Sequence, residues 1–478
     1  MTTNKTKALL LGLLASSMML SAQNPVIRDA FTADPSAHVF DGRVYLYPSH
    51  DIPAPADYAR KDWFCMADYH VYSSDNLVDW VDHGIIVDQV TAPWVNSRGY
   101  GMWAPDCNYK DGKYYFYFPA PQIPQPGRMF AGNGIGVAIS DTPYGPFKCE
   151  EKPIQGVGGI DPCIFIDDDQ TPYLIWSGRG LQLARLKDNM TEIDTTFTPV
   201  SLNGIIPRGM TEGPFLFKRE GKYYWTFPWV EAERETLAYC MADNIAGPYT
   251  FMGKFMEQSE TICWTNHHSF IEFNGQWYLF YHHNDYSPYF DKNRSVCIDK
   301  VFFNEDGTIQ MVKPTLRGVG ITKATSQIQI DRYSDKSEQY VAVDFVNPDF
   351  TFDGWKAILW NTTQEKEPRF ISYNDVDFGS ATTVALPGKA KKGAANEITV
   401  AKTPLKTATV KVMSHAGGTL ELRADAVDGP VLATIPVPGS YTWGERTVTL
   451  AQDIDGIHDL YLLMTNGSHI EVDWVTFK

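Results

Sequence analysis

Between residues 24 and 320 the apolar positions fall in short runs broken by polar ones, and the three-to-four-residue spacing of an amphipathic helix is missing. One unit recurs five times: a short polar start, an apolar strand, a turn, then an aromatic strand. The first copy opens Ala33-Asp34-Pro35, turns at Asp41-Gly42 and closes with Val44-Tyr45-Leu46-Tyr47. The second runs from Trp103-Ala104-Pro105-Asp106 to Tyr114-Tyr115-Phe116-Tyr117, the third from Ile160-Asp161-Pro162 to Tyr173-Leu174-Ile175-Trp176. The fourth runs from Glu212-Gly213-Pro214 to Tyr223-Tyr224-Trp225, the fifth from His267-His268-Ser269 to Trp277-Tyr278-Leu279-Phe280.

Pro35, Pro105, Pro162, Pro214 and His268 occupy one slot, at spacings of 70, 57, 52 and 54 residues. In four copies a glycine follows the slot by seven positions: Gly42, Gly112, Gly221 and Gly275. Aromatic and β-branched runs flanking such a turn predict hairpins. A further hairpin half, such as Tyr72-Ser73-Ser74-Asp75 with Trp80, follows in several copies. Repeats of this size made only of strands predict a β-propeller. The expected fold is therefore all-β: a five-bladed propeller of four-stranded blades over residues 23–324. From Thr325 the pattern changes to alternating strands such as Thr419-Leu420-Glu421-Leu422-Arg423, with turns at Gly429-Pro430 and Pro438-Gly439. This predicts a β-sandwich of jelly-roll type over 325–478.

The first residues carry a different signal. Lys5 and Lys7 precede the apolar run Ala8–Ala15, and Ser21-Ala22 makes a small-residue exit. Residues 1–22 are read as a secretory signal peptide cleaved near Ala22, so the protein is expected to be exported to the periplasm or beyond the cell. No later segment is apolar enough to span a bilayer. A net charge of −16 over 478 residues disfavours nucleic acid as a partner, because an acidic surface repels phosphate. The seven cysteines form no CxxC pair, which suggests neither a zinc site nor a disulfide framework; one or two disulfides remain open. A monomer is expected.

In a propeller the first strand of each blade lines the central axis, so the slot residues converge on one funnel. Asp34, Asp161 and Glu212 thereby bring three carboxylates together. Like charges held close raise one another's pKa, which a structural role seldom requires. Paired carboxylates are the requirement of glycoside hydrolysis: one activates a water, another, protonated, gives its proton to the leaving oxygen. Carboxyls on opposite sides of the funnel leave room for that water, and separations of roughly 6.5–9.5 Å accompany inversion.

Ala-Asp-Pro, Trp-Ala-Pro-Asp, Ile-Asp-Pro, Thr-Glu-Gly-Pro and Asn-His-His-Ser-Phe, one motif per blade, together resemble glycoside hydrolase family 43 over residues 24–322. The resemblance implies an inverting enzyme in which Asp34 is the general base, Glu212 the general acid and Asp161 the residue that tunes and orients the acid. It implies that His267 lies near an axial metal or water cluster, often calcium, and that Arg294 reaches sugar hydroxyls. Trp103 becomes the aromatic platform beside the sugar and Phe31 a second wall. Asp106 is read as structural, and His50, Asp51 and the insertion Pro53–Asp68 as a rim that shapes specificity. No organic cofactor is expected. The last segments, including Val472-Asp473-Trp474, resemble a family 6 carbohydrate-binding module. Tyr373 and Trp443 stand where its aromatics could be, but Glu471 occupies the place of an expected asparagine. A sugar-binding module and a purely structural sandwich both fit.

The expected activity is release of α-L-arabinofuranosyl or β-xylosyl units from plant cell-wall oligo- or polysaccharide such as arabinoxylan or arabinan. β-Xylosidase and endo-acting xylanase or arabinanase are the alternatives within the family. A non-catalytic glycan-binding propeller is the alternative of another class.

Overall fold

A computed structural model describes residues 23–56, 58–124, 132–361, 369–380, 382–385, 397–400 and 404–478. The expected signal peptide lies outside them. Four blades are antiparallel sheets: 31–40, 43–51, 68–74 and 81–88; then 106–110, 113–121, 133–140 and 148–149; then 160–166, 172–178, 180–185 and 200–201; then 215–219, 222–230, 235–242 and 250–256, to which the short strand 210–211 adds a fifth by pairing with 222–230. The first strand of each blade contacts the first strand of the next, and 269–273 of the fifth blade returns to 31–40, which closes the ring. Four clusters of buried aromatic and aliphatic side chains fill the five inter-blade interfaces, one of them running through blades three, four and five.

The glycine-centred turns are two-residue hairpins with both residues at positive φ: Asp41-Gly42, Asp111-Gly112, Glu220-Gly221 and Asn274-Gly275. That conformation matches the right-handed twist of the flanking strands, and it explains the recurring glycine. The third blade lacks the glycine and turns more widely through Asp167–Thr171, with Gln170 at φ 68°.

The expectation of four strands in every blade fails at the fifth. Its own strands are three, 269–273, 276–283 and 295–301. The chain start supplies the missing edge. Val26 N–H donates to Val296 O at 2.9 Å, and Asn24 N–H to Leu316 O at 2.9 Å. The Asn24 side chain receives Ile298 N–H at 2.8 Å and donates to Ile298 O at 3.1 Å and Thr315 O at 2.8 Å.

Beyond the propeller the described residues form a separate two-stranded ribbon, 382–385 with 397–400, and two facing sheets. One has the order 322–323, 369–377, 457–467, 418–424, 431–437; the other 341–345, 355–360, 469–477, 407–414, 440–449. Their inner faces make one apolar core that includes Ile371, Leu422, Leu462 and Val475. Tyr373, expected as a sugar-stacking aromatic, is fully buried in that core and cannot meet a ligand. Its strand faces inward at that position because 373 shares the period-two face of Ile371. The sandwich meets the propeller through aromatics: Tyr286 lies 4.7 Å from Trp355 and 5.0 Å from Phe352.

Candidate active site

Asp34 and Asp161 begin equivalent first strands, and both stand at positive φ, 45° and 56°. Non-glycine residues in that region carry backbone strain, which turns each carboxylate out of the strand's alternation and toward the axis. Asp34, Asp161 and Glu212 then line one pocket of about 260 Å³.

Asp34 is the most tightly held of the three. Arg294 donates to both its oxygens at 2.7 and 3.2 Å, Ser49 Oγ donates at 2.7 Å, and its own N–H donates to His282 Nδ1 at 3.0 Å. His267 Nδ1 lies 3.7 Å from Oδ1. Burial alone would raise this carboxyl, but Arg294 and the histidines outweigh it and hold the group well below the ordinary range. Asp34 is an anion at every working pH.

Asp161 is the opposite case. Burial first, and the charge of Glu212 second, push it up to about 7. Its Oδ2 accepts Gly213 N–H at 3.0 Å, which fixes the backbone immediately after Glu212. A fourth carboxyl, unforeseen in the sequence, completes the group. Glu235 is 2% exposed and accepts Asn266 N–H at 2.7 Å; burial and then the Glu212 charge push it well above the carboxylate range. In the sequence it closes the run Glu231-Ala232-Glu233-Arg234-Glu235, which reads as a solvated turn. No local pattern marks it.

Arg294 lines the pocket, but its guanidinium is 3% exposed and committed to protein. It donates to Asp51 at 2.9 and 3.0 Å as well as to Asp34, and stacks 4.7 Å from the Phe64 ring. Its donors clamp Asp34 and Asp51 while the residue itself lines the pocket. Asp51 changes place: it is 2% exposed and buried beneath the rim it was expected to form.

Trp103 lines the pocket as expected, together with Trp63, Phe64 and Met66 from the insertion, and Met210 and Trp264 from later blades. Phe31 does not line it. The strand carries its ring outward to Phe352 of the sandwich, 4.8 Å away. Asp106 is fully buried; it accepts from Ser36 Oγ at 2.5 Å and Ile164 N–H at 2.5 Å, and so ties three blades together. His268 is bonded to Thr226 Oγ1 at 2.6 Å in the wall of blade four.

His267 faces Asp34, Asp161 and Glu212, whose charges raise its pKa against the effect of burial. Calcium takes six to eight oxygens. Among the described residues His267 belongs to no ligand-spaced group of three His, Cys or carboxylate side chains, so water would have to supply the rest of such a shell. In the sandwich, Glu471 is paired with Lys356 at 3.0 Å, and Trp443 lies 5.7 Å from the Lys411 ammonium.

Comparison with known proteins agrees with this geometry. The chain is 35% identical over 338 residues to Xylosidase/arabinosidase 43A of Humicola insolens, covering 61% of this chain and 99% of that one. It is 26% identical over 507 residues to the arabinoxylan arabinofuranohydrolase of Paenibacillus polymyxa, covering 93% and 72%. A β-xylosidase/α-arabinofuranosidase from a compost microbial metagenome, crystallised with xylotriose in a calcium-free form, superposes with a TM-score of 0.53 at 34% identity, covering 61% of this chain and 98% of that chain. The sequence model of carbohydrate binding module family 6 matches residues 394–478. The model of the glycosyl hydrolases family 43 matches residues 22–309, more than half of the chain, and the protein belongs to that family.

Proposed function

We propose that this glycosidase is exported and releases single α-L-arabinofuranosyl units, or β-xylosyl units, from plant arabinoxylan-type glycan with inversion at the anomeric carbon. One observation carries the reading: Asp34, Asp161 and Glu212, from three blades, line one pocket in which Arg294 clamps Asp34 as an anion while burial and the Glu212 charge raise Asp161. Environments that drive carboxyls apart in this way assign base and acid.

In this mechanism Asp34 takes a proton from water as the oxygen attacks the anomeric carbon. Glu212 gives its proton to the departing glycosidic oxygen. Asp161, through Gly213 N–H, aims Glu212. Burial and the Glu212 charge raise both Asp161 and Glu235, so the cluster binds protons more tightly than free carboxyls do; in coupled groups the proton belongs to the cluster rather than to one residue. Arg294 orients Asp34 and keeps it charged. Trp103 offers a flat apolar face to the sugar ring. A calcium ion beside His267 would supply positive charge next to the carboxylates, and no step runs through it. A pocket of 260 Å³ is at the small end for ligand sites, which favours a terminal sugar over a polymer track.

The names of the relatives support both sugars, and the pocket does not separate them. Aryl α-L-arabinofuranoside and aryl β-xyloside are the discriminating substrates. Glu212→Gln should lower kcat by roughly 10²–10⁴ on whichever is cleaved. A wild type that binds glycan but cleaves neither would make this a binding propeller instead. Proton NMR of the first-formed sugar should show the inverted anomer, and sequencing of the exported protein should begin near Gln23.

A further inference from the structure

Away from the funnel, a cavity of about 600 Å³ opens where the chain start, blade five and the sandwich meet, lined by Asn24, Glu260 and Tyr333 among others. Into it project His283, Asp285 and Cys297, whose ligand atoms all lie within 4.8 Å of one another. They come from the end of strand 276–283, the loop after it, and strand 295–301. His283 is 8% exposed and Cys297 2%.

Two atoms of this group have no use in the fold. His283 Nε2 and Asp285 Oδ2 are buried, and neither finds a hydrogen-bond partner among the described residues. Buried polar atoms are ordinarily satisfied, and each unsatisfied one costs about 1–3 kcal/mol. His283 Nδ1 stands 4.0 Å from Asp285 Oδ2, too long for a hydrogen bond. Zinc holds nitrogen and oxygen at about 2.0–2.2 Å and sulfur at about 2.3 Å, so an ion would close the group by about 1 Å. A second partly buried group, His50, Asp68 and His70, is already bonded within itself and to Asp82, which leaves it no comparable orphan.

We propose that His283, Asp285 and Cys297 form a binding site for one divalent transition ion, zinc by its donor set, with the fourth position open to water in the cavity. One imidazole, one carboxylate and one thiolate are borderline-to-soft ligands and exclude calcium and magnesium. On binding, the Cys297 thiol loses its proton to solvent and the sulfur becomes the thiolate ligand. The site is separate from the axial position at His267. It braces the segment between His282, which accepts the Asp34 N–H, and Tyr286, which packs on the sandwich.

The test uses the full chain, stripped of metal and titrated with zinc. About one zinc per chain should bind, with release of about one proton and a rise in Tm. Cys297→Ser and His283→Gln should each weaken binding at least tenfold, whereas Asp68→Asn should not. Should those variants fail to fold, cobalt(II) added to the metal-free wild type must give a thiolate-to-cobalt charge-transfer band. Absence of that band, or zinc retained by both variants, overturns the proposal.

Discussion

Arg294 shows how a single side chain sets the state of a site. Its donors bind two buried carboxylates, Asp34 and Asp51, so removing it strands both. Leaving an uncompensated buried charge costs about 3–5 kcal/mol, and Arg294→Gln should lose about that much in urea unfolding. The same change lets Asp34 rise toward its ordinary range, so the acid limb of kcat/KM should move to higher pH. Glu235 offers the complementary experiment. Glu235→Gln keeps the shape but removes a group that competes for charge with Glu212, so the alkaline limb should move to lower pH. A reduced rate with an unmoved limb would leave Glu235 only a packing role. Asp34, Asp161 and Glu212 were legible because they sit in one slot of a repeat. Glu235 and Asp51 were not, since burial of a carboxylate is decided by tertiary neighbours and leaves no local pattern. Arg294 was seen, but what it touches depends on strands more than 200 positions away.

At the scale of elements, hairpin and blade were readable from period-two strands and glycine turns, because those signals are local. The chain start was not readable in this way. Asn24 precedes a proline and reads as a loop, yet its side chain makes four bonds to blade five and the segment beyond it. Asn24→Ala should strand one donor and two backbone acceptors and cost roughly 3–9 kcal/mol at about 1–3 per unsatisfied group. A loss below about 0.5 kcal/mol in chemical denaturation would show that water replaces those bonds. Phe31 and Tyr373 fail for a related reason. Aromatics are used alike in pockets, cores and interfaces, and the chain does not say which sheet will cover them.

For the whole molecule, net charge is a poor guide to pH behaviour, and a few buried acids decide it. Burial pushes Asp161 and Asp331 up to about 7 and Asp299 up to about 6. A carboxyl whose folded pKa exceeds its unfolded value contributes stability below the unfolded pKa and loses it as pH rises through the folded one. Asp34 acts in the reverse sense, and its contribution is lost only in strong acid. Tm should therefore peak at about pH 4–6 and fall by pH 8; a Tm still rising at pH 8 would contradict these assignments. The ring closure has a further, kinetic meaning. Asn24 meets partners 274 and 291 positions away, so the propeller's last seam joins its earliest and latest residues. Until residues 269–316 are available the ring has neither its closing contact of 269–273 with 31–40 nor its Asn24 seam, and four blades must wait with an open flank. Loop-closure entropy and high contact order both slow such a step. The seam is accordingly the place where assembly finishes last, and a circular permutant that opened the ring inside a blade hairpin instead would move that final event without altering the funnel.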